Sequence, residues 1–420
     1  MGEGMTPRFY EFFAGAGLAR AGLEPHWTCA WANDISAKKA LVYRHNFGGD
    51  HLVVADVASV DPRSLPAGVD LAWASFPCQD LSLAGWRRGM QARRSGAFWA
   101  FWRLMAALHD RGRRPKIIVI ENVVGLLSGD HLTGLCDALA ALGLTFGALV
   151  IDAKYFVSQS RPRVFIVAVD PSIPVAPFVD DRAPAGSLWA PAVLRKAYDA
   201  LPEHLRGLWR WWRLPAPPRH GGSFTQVYEP LPDADPRWHS VLETQRLLGM
   251  MTETNLEKVR IAVRMHERVV GTLYRRIRDG VQRAEVRFDG TAGCLRTPAG
   301  GSSRQTVLVV EEDGRVRSRL LTPREAARLM GAPETFWLPP NYNDAYRAMG
   351  DGVVAPVVSW LSERLLAPIA AVEHAPQGDD DDVRDGRGLA AHRERAEVLA
   401  AQWERVKSTN AAPLKEKARV

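Results

Sequence analysis

The first 170 residues alternate short apolar runs with stretches of helical period. Arg8–Phe13, Thr28–Ala32, Leu71–Ser75, Ile117–Glu121 and Val164–Val169 read as strands, most of them ending in a loop that carries polar residues or glycine. Strands joined through helices must pair in parallel, because each crossover returns the chain to the same end of the sheet. The reading is therefore an α/β fold with an open, Rossmann-like sheet. In such sheets ligands bind beyond the carboxyl ends of the strands. Residues that follow each apolar run become the first candidates for function.

The first run leads into Phe13-Ala14-Gly15-Ala16-Gly17-Leu18, a turn of small residues that lets backbone approach a ligand at the head of a helix. The second ends at Asn33-Asp34-Ile35, where a carboxylate can hold ribose hydroxyls, and Asp56 in Ala55-Asp56-Val57 can accept from an adenine amine. Either aspartate read singly is equally a helix cap or turn residue. The run Leu71–Ser75 continues into Phe76-Pro77-Cys78-Gln79, which puts a thiol at the same edge. A cysteine of this kind is ordinarily buried and inert. Here it precedes a glycine- and arginine-rich segment, Asp80 to Gly96, containing Ser82, Arg87, Arg88, Arg93 and Arg94, which reads as a lid over an anion. Glu121-Asn122-Val123 adds a carboxylate, and Gln159-Ser160-Arg161-Pro162-Arg163 adds two guanidiniums.

These groups suit one chemistry. Carbon 5 of cytosine is too weak a nucleophile to attack a methyl sulfonium until a thiolate has added to carbon 6. Cys78 is the candidate thiolate, Glu121 the group that shares a proton with ring nitrogen 3, and Arg163 the donor to oxygen 2, with Arg161 beside it. None of these ring atoms can be reached inside a duplex, so the base has to be extruded into a pocket.

After Asp170 proline becomes frequent, Trp209, Trp211 and Trp212 cluster, and the strand-helix rhythm stops. A second unit is expected from residue 171 to 318, after a catalytic and cofactor unit over 1–170. The tryptophans read as core. A long helix is expected from about Val241 to Gly280, its arginines Arg260, Arg264, Arg268, Arg275, Arg276 and Arg278 forming a solvated face. Arg296-Thr-Pro-Ala-Gly-Gly-Ser-Ser-Arg304 differs, since its glycines admit DNA backbone while arginine and serine contact phosphates or base edges. Thr322-Pro323-Arg324-Glu325 has the form of a capping box opening a helix through Met330. Residues 319–372 read as a return segment packing on both units, and 373–420 as a charged tail.

The formal charge of +7, with arginine in excess over lysine, is compatible with an anionic partner without requiring one. Cys29, Cys78, Cys136 and Cys294 form no CxxC pair and adjoin no histidine cluster, so no metal site and a reducing compartment are expected. No run approaches the ~20 uninterrupted apolar residues of a membrane span. A cytoplasmic protein, in a bacterial cell or a phage-infected host, is expected.

In their order along the chain these motifs resemble the DNA (cytosine-5) methyltransferase family over nearly all of residues 8 to 367. The resemblance implies a Rossmann-like S-adenosylmethionine-dependent methyltransferase sheet with a smaller, irregular target-recognition domain. It implies S-adenosylmethionine held by Phe13 to Leu18, with Phe13 against the adenine, and by Asp34, Ile35, Asp56, Val57, Pro77, Asp351, Gly352 and Val353. It implies catalysis by Cys78, Glu121, Arg161 and Arg163, and DNA contact by Gln79, Ser82, Arg94, Arg296 and Arg304. Double-stranded DNA is the expected partner, with a monomer acting on it and a companion restriction endonuclease left open. Two departures stand out. The turn reads Gly-Ala-Gly-Leu where the family has an adjacent second glycine, and Asp351-Gly352 stands where Asn-Ser is common, adding a carboxylate at the methionine end of the cofactor. Other readings stay open: an RNA methyltransferase, against which the roughly 145-residue recognition region argues; a non-catalytic DNA-binding protein, against which the retained Cys78, Glu121 and Arg163 argue; and transfer of a different electrophile.

Overall fold

The computed structural model describes residues 6–24, 26–77, 96–184, 186–218, 222–278, 280–297 and 304–373. Its main sheet is built from β1 (Arg8–Phe12), β2 (Thr28–Asp34), β3 (Leu52–Val54), β4 (Leu71–Ala74), β5 (Ile117–Val123), β6 (Thr145–Asp152) and β7 (Pro162–Val169), in the order β3-β2-β1-β4-β5-β7-β6. The helices α1 (Leu18–Leu23), α2 (Ala37–Phe47), α3 (Gly96–His109) and α4 (His131–Ala141) connect them. The pairs among β1 to β5 are parallel, whereas β7 runs antiparallel to both β5 and β6. The sequence reading recovers five of these strands and misses β3 and β6.

Strands buried on both faces read as continuous apolar runs. Leu71 to Ala74 and Ile117 to Ile120 have no exposed surface, and their side chains alternate between two cores. Phe9, Leu71, Trp73, Ile117 and Val119 face one; Tyr10, Phe12, Ala72, Ala74, Ile118 and Ile120 face the other. The chain leaves β1 outward through β2 to β3, then resumes on the opposite side at β4. The reversal opens a crevice between the carboxyl ends of β1 and β4, the place where ligands bind in open α/β sheets.

The change of character at Asp170 marks the end of the sheet rather than the start of the second unit. The short β8 (Val179–Asp180), α5 (Ala192–Asp199), α6 (Glu203–Arg206) and β9 (Trp211–Trp212) pack back on it. Trp209 and Trp211 are buried in the core that holds Phe146 and Leu194, as the core reading of that cluster has it. The short helix α7 (Phe224–Val227) leads onward.

The single long helix expected over 241–280 is not formed. The structure has α8 (Val241–Gly249), α9 (Glu253–Arg264) and a strand, β10 (Val269–Arg278), followed by β11 (Val281–Arg287). A four-residue spacing of Arg260, Arg264 and Arg268 imitates a helix, but His266 in the left-handed region (φ 53°) ends it, and Val269-Val-Gly-Thr-Leu-Tyr274 favours an extended chain. With β12 (Thr306–Val310) and β13 (Val316–Leu320), these strands form an antiparallel sheet in the order β11-β10-β12-β13. Leu247, Val259, Leu273, Val286, Leu308 and Val310 close a small core beneath α8 and α9.

The return segment begins with α10 (Pro323–Leu329), where Thr322 and Glu325 complete the capping box. It continues through α11 (Tyr342–Gly350), α12 (Ala355–Leu361), a π turn at Ser362–Leu366, and α13 (Ala367–Glu373). A Cβ on Gly22 of α1 would lie 2.5 Å from Val358 Cβ, so the close approach of α12 requires glycine there. Trp27 Nε1 donates to Ser362 Oγ at 2.9 Å, joining the start of the chain to its return. The stretch Tyr342–Val372 is long and apolar enough to cross a membrane by length and composition. Its apolar side chains, Leu361, Leu365, Leu366 and Ile369 among them, are instead buried in the main core.

Candidate active site

A cavity of about 970 Å³ fills the crevice, at the upper end of the size usual for small-molecule sites. One wall is the β1–α1 turn. Phe13 takes a positive φ of 58°, a conformation that costs a non-glycine residue about 1–3 kcal/mol and gathers at ligand sites. Its ring meets Phe76 edge-on at 6.3 Å. Phe13, Ala14, Gly15, Ala16 and Leu18 line the cavity, but Gly17 does not. Gly17 caps α1 with φ 82°, and a Cβ there would strike the Phe47 ring.

Asp34 is buried, and its two oxygens accept from Gly15 N at 2.8 Å and Ser36 N at 2.7 Å. It thus shapes the turn while keeping acceptor capacity, because a carboxylate offers about four lone-pair sites. Ile35 projects beside it, 70% exposed, and Asp56 is exposed with one oxygen capping Ala58 N. Both, with Val57, line the cavity.

The opposite wall is chemical. Glu121 and Arg163 stand on adjacent strands, and Arg163 Nε lies 3.2 Å from Glu121 Oε1 with both side chains mostly buried. The antiparallel register of β5 and β7, which sets Val123 opposite Arg163, makes this pairing possible. Asn122 Nδ2 donates to Phe76 O at 3.0 Å and ties β5 to the chain just before residue 78. Pro77 lies in the cavity wall. Cys78, Gln79, Ser82 and Arg94 lie outside the described residues.

Arg161 is buried, and burial followed by the neighbouring Arg163 charge holds its pKa below the usual guanidinium range. It donates to Cys294 Sγ (3.2 Å) and Leu295 O (2.8 Å), and to Gly350 O (3.0 Å) and Gly352 O (2.7 Å). One guanidinium therefore joins Cys294 and Leu295 to Gly350 and Gly352. Asp351, Gly352 and Val353 reach the cavity at that junction. The Asp351 carboxylate is paired with Lys39 and accepts from Thr297 Oγ1. Arg296 also lines the cavity. Arg304 turns away, its guanidinium donating to Asn343 and lying over the Tyr342 ring.

Among the cavity residues that escaped the sequence reading, Glu11 and Cys294 carry titratable groups beside the site. Glu11, on β1, is 1% exposed, and its Oε2 has no hydrogen-bond partner among the described residues. Burial pushes its pKa up to about 8 against the opposing pull of Arg20. An acidic residue inside an apolar strand is the signal that could have found it. For Cys294 burial raises the thiol pKa, but Arg161, Arg163 and Arg296 outweigh burial and bring it below the ordinary value. Its distance of about 130 residues from Arg161 along the chain hid that contact.

A doubly wound sheet with a large cavity at its switch point, and a buried carboxylate-guanidinium pair in the wall of that cavity, is the frame of an α/β enzyme. The model of the C-5 cytosine-specific DNA methylase family matches residues 7–204 and 228–367. The chain belongs to this family and is a DNA cytosine-5 methyltransferase. It is 25% identical over 377 residues to the type II methyltransferase M.NlaX of Neisseria lactamica, covering 87% of this chain and 98% of that one. It is also 25% identical over 361 residues to M.HhaI of Haemophilus parahaemolyticus, covering 84% and 93%. Among solved structures it resembles the Schizosaccharomyces pombe Dnmt2 methyltransferase, with a TM-score of 0.55 at 15% identity and coverage of 88% and 99%. The Entamoeba histolytica methyltransferase EhMeth gives 0.57 at 14%, covering 86% and 98%. These two likenesses concern the fold.

Proposed function

We propose that the protein methylates carbon 5 of a cytosine flipped out of a specific duplex DNA sequence, with S-adenosylmethionine as methyl donor and Cys78 as nucleophile. The observation that carries this reading is the Glu121–Arg163 pair facing, within one cavity, the turn shaped by Asp34. Two features of the chain fit the cofactor. The orphan oxygen of Glu11 leaves a buried carboxyl that a cationic donor such as an ammonium group would pair with, favouring the ionised form that burial otherwise opposes. The turn and return loops also meet so closely that a Cβ on Gly352 would lie 2.5 Å from Leu18 Cδ1. Bound there, S-adenosylmethionine supplies an electrophilic methyl group on sulfur.

The chain's own residues do the rest. The Cys78 thiolate adds to carbon 6, and the ring's electrons shift toward nitrogen 3 and oxygen 2, where Glu121 and Arg163 stabilise the charge. Carbon 5 then takes the methyl group, a base removes the carbon 5 proton, and the thiolate leaves as the ring double bond reforms. Arg161 acts as a positioning residue through its four contacts. A single flipped base and one recognition unit need no two-fold partner, so a monomer is the working form, inside the cell. Relatives named type II methyltransferases support a modification role beside a companion endonuclease.

The test incubates the protein and its Cys78→Ala variant with cytosine-rich duplex DNA, or with tRNA, and S-adenosylmethionine, followed by nucleoside mass spectrometry. 5-Methylcytosine in DNA from the parent alone is expected. Methylation confined to tRNA, or a heavier cytosine adduct, would overturn the substrate or the donor.

A further inference from the structure

The arginines at 275–278, read from sequence as a helix face, sit instead on a two-stranded ribbon. β10 pairs with β12 only over Val269–Leu273 but with β11 over Thr272–Arg278. Beyond Leu273 the β10–β11 hairpin therefore continues past the sheet, with Ile277 66% and Val281 48% exposed near its end. From Tyr274 to Arg287 it carries five arginines against two carboxylates. On α9 Arg260 pairs with Glu253 and Glu257, and Arg264 with Glu257; on the ribbon Arg287 pairs with Asp289 at 2.7 Å. On the ribbon Arg276 and Arg278 share Glu285, at 4.0 and 3.2 Å. No ion pair is formed by Arg283 among the described residues.

Direction matters as much as charge. Side chains alternate across a strand, so Tyr274 and Arg276 share one face, on which Arg283 and Glu285 stand opposite them in register. The Arg276 guanidinium lies over the Tyr274 ring at 4.4 Å. That ring packs on Gly293, where a Cβ would be 3.3 Å from Tyr274 Cδ1. Gly293 adjoins Cys294, which lines the cavity with Arg296. A chain of contacts thus links the arginine face to the cavity wall.

We propose that this ribbon is a duplex-tracking arm, with Arg276 and Arg283 contacting phosphates of the DNA flanking the extruded cytosine. The inference rests on the DNA reading above. A two-stranded ribbon is one of the shapes a major groove admits, and a face on which arginines outnumber carboxylates matches the phosphate backbone. Phosphate contacts set affinity and register without reading sequence.

The experiment measures binding of the full chain to a fluorescein-labelled duplex carrying the methylated target, and to an unrelated duplex, by anisotropy at several KCl concentrations. Each lost phosphate contact lowers the slope of log K against log salt by about 0.9. Arg276→Gln/Arg283→Gln is expected to reduce the slope by about 1.8 and to weaken both duplexes by a similar factor. The control Arg260→Gln/Arg264→Gln, made on α9, is expected to keep the parent slope. Thermal melting of each variant shows that it is folded. An unchanged slope in the folded ribbon variant, alongside a parent that methylates and binds DNA, overturns the arm alone. A parent that neither binds nor methylates duplex DNA overturns the reading beneath it as well.

Discussion

Lys39 Nζ lies 2.8 Å from Asp351 Oδ2, joining α2 to the return loop across the cofactor side of the cavity. The carboxylate that the sequence adds at this loop therefore does not face the cavity as an unbalanced charge. Thr297 Oγ1 donates to its other oxygen, so the chain before residue 298 is tied to the same point. Both charges are partly exposed, and a pair of this kind contributes less than about 1 kcal/mol to stability. Lys39→Ala is expected to melt close to the parent yet bind S-adenosylmethionine roughly fivefold more weakly, a loss of about 1 kcal/mol, because Asp351 is left unneutralised. Asp351→Asn in that background should restore binding. Calorimetric titration checks both, and equal affinity in parent and Lys39→Ala would remove the pair from cofactor recognition.

Arg319 and Glu325 are fully buried and meet in a two-pronged pair at 2.6 and 2.7 Å, with Arg319 also donating to Glu229 O. Removing one member leaves a buried charge without its partner, which costs about 3–5 kcal/mol. Arg319→Ala should therefore lower the urea midpoint far more than Arg315→Ala, whose partner Asp313 is exposed. Similar midpoints for the two variants would contradict the assignment.

Glu11 gives the chain a pH signature. Its pKa in the folded protein, raised by burial to about 8 from 4.5, means that the folded state holds a proton the unfolded state has released. Stability from this group is present below pH 4.5 and is lost as pH rises from there to about 8. Glu11→Gln should remove that part of the decline. Melting temperatures across this range, parent against variant, measure it directly, and parallel curves would rule Glu11 out as the source.

The cysteines should differ in reactivity. Burial pushes Cys29 up to about 12 and Cys136 well above the ordinary thiol range, while the arginines around Cys294 bring it down. The thiolate is the reactive species. In a Cys78→Ala background, iodoacetamide at pH 7.5 is expected to modify Cys294 first and leave Cys29 and Cys136 intact in the native protein. Peptide mapping by mass spectrometry reads the order, and labelling of Cys136 ahead of Cys294 would contradict it.

Local pattern determined five of the seven strands of the catalytic sheet. Apolar runs ending at Phe13, Ala32, Ser75 and Glu121 mark strand termini because central parallel strands bury both faces, and their loops necessarily gather at one edge. The Thr322–Glu325 cap was legible for a similar reason, being an interaction between residues three apart. Tertiary structure decided the rest. Arginine spacing alone cannot separate the helix α9 from the strand β10, since the choice was made by packing of Leu273 and Val286 against Val259 and Leu308. Nor could local pattern show that Trp209 and Trp211 return to the first unit, that Arg161 clamps Leu295 to Gly352, or that Lys39 neutralises Asp351. Those contacts join residues from 63 to more than 300 positions apart, and their geometry exists only once the chain has closed on itself.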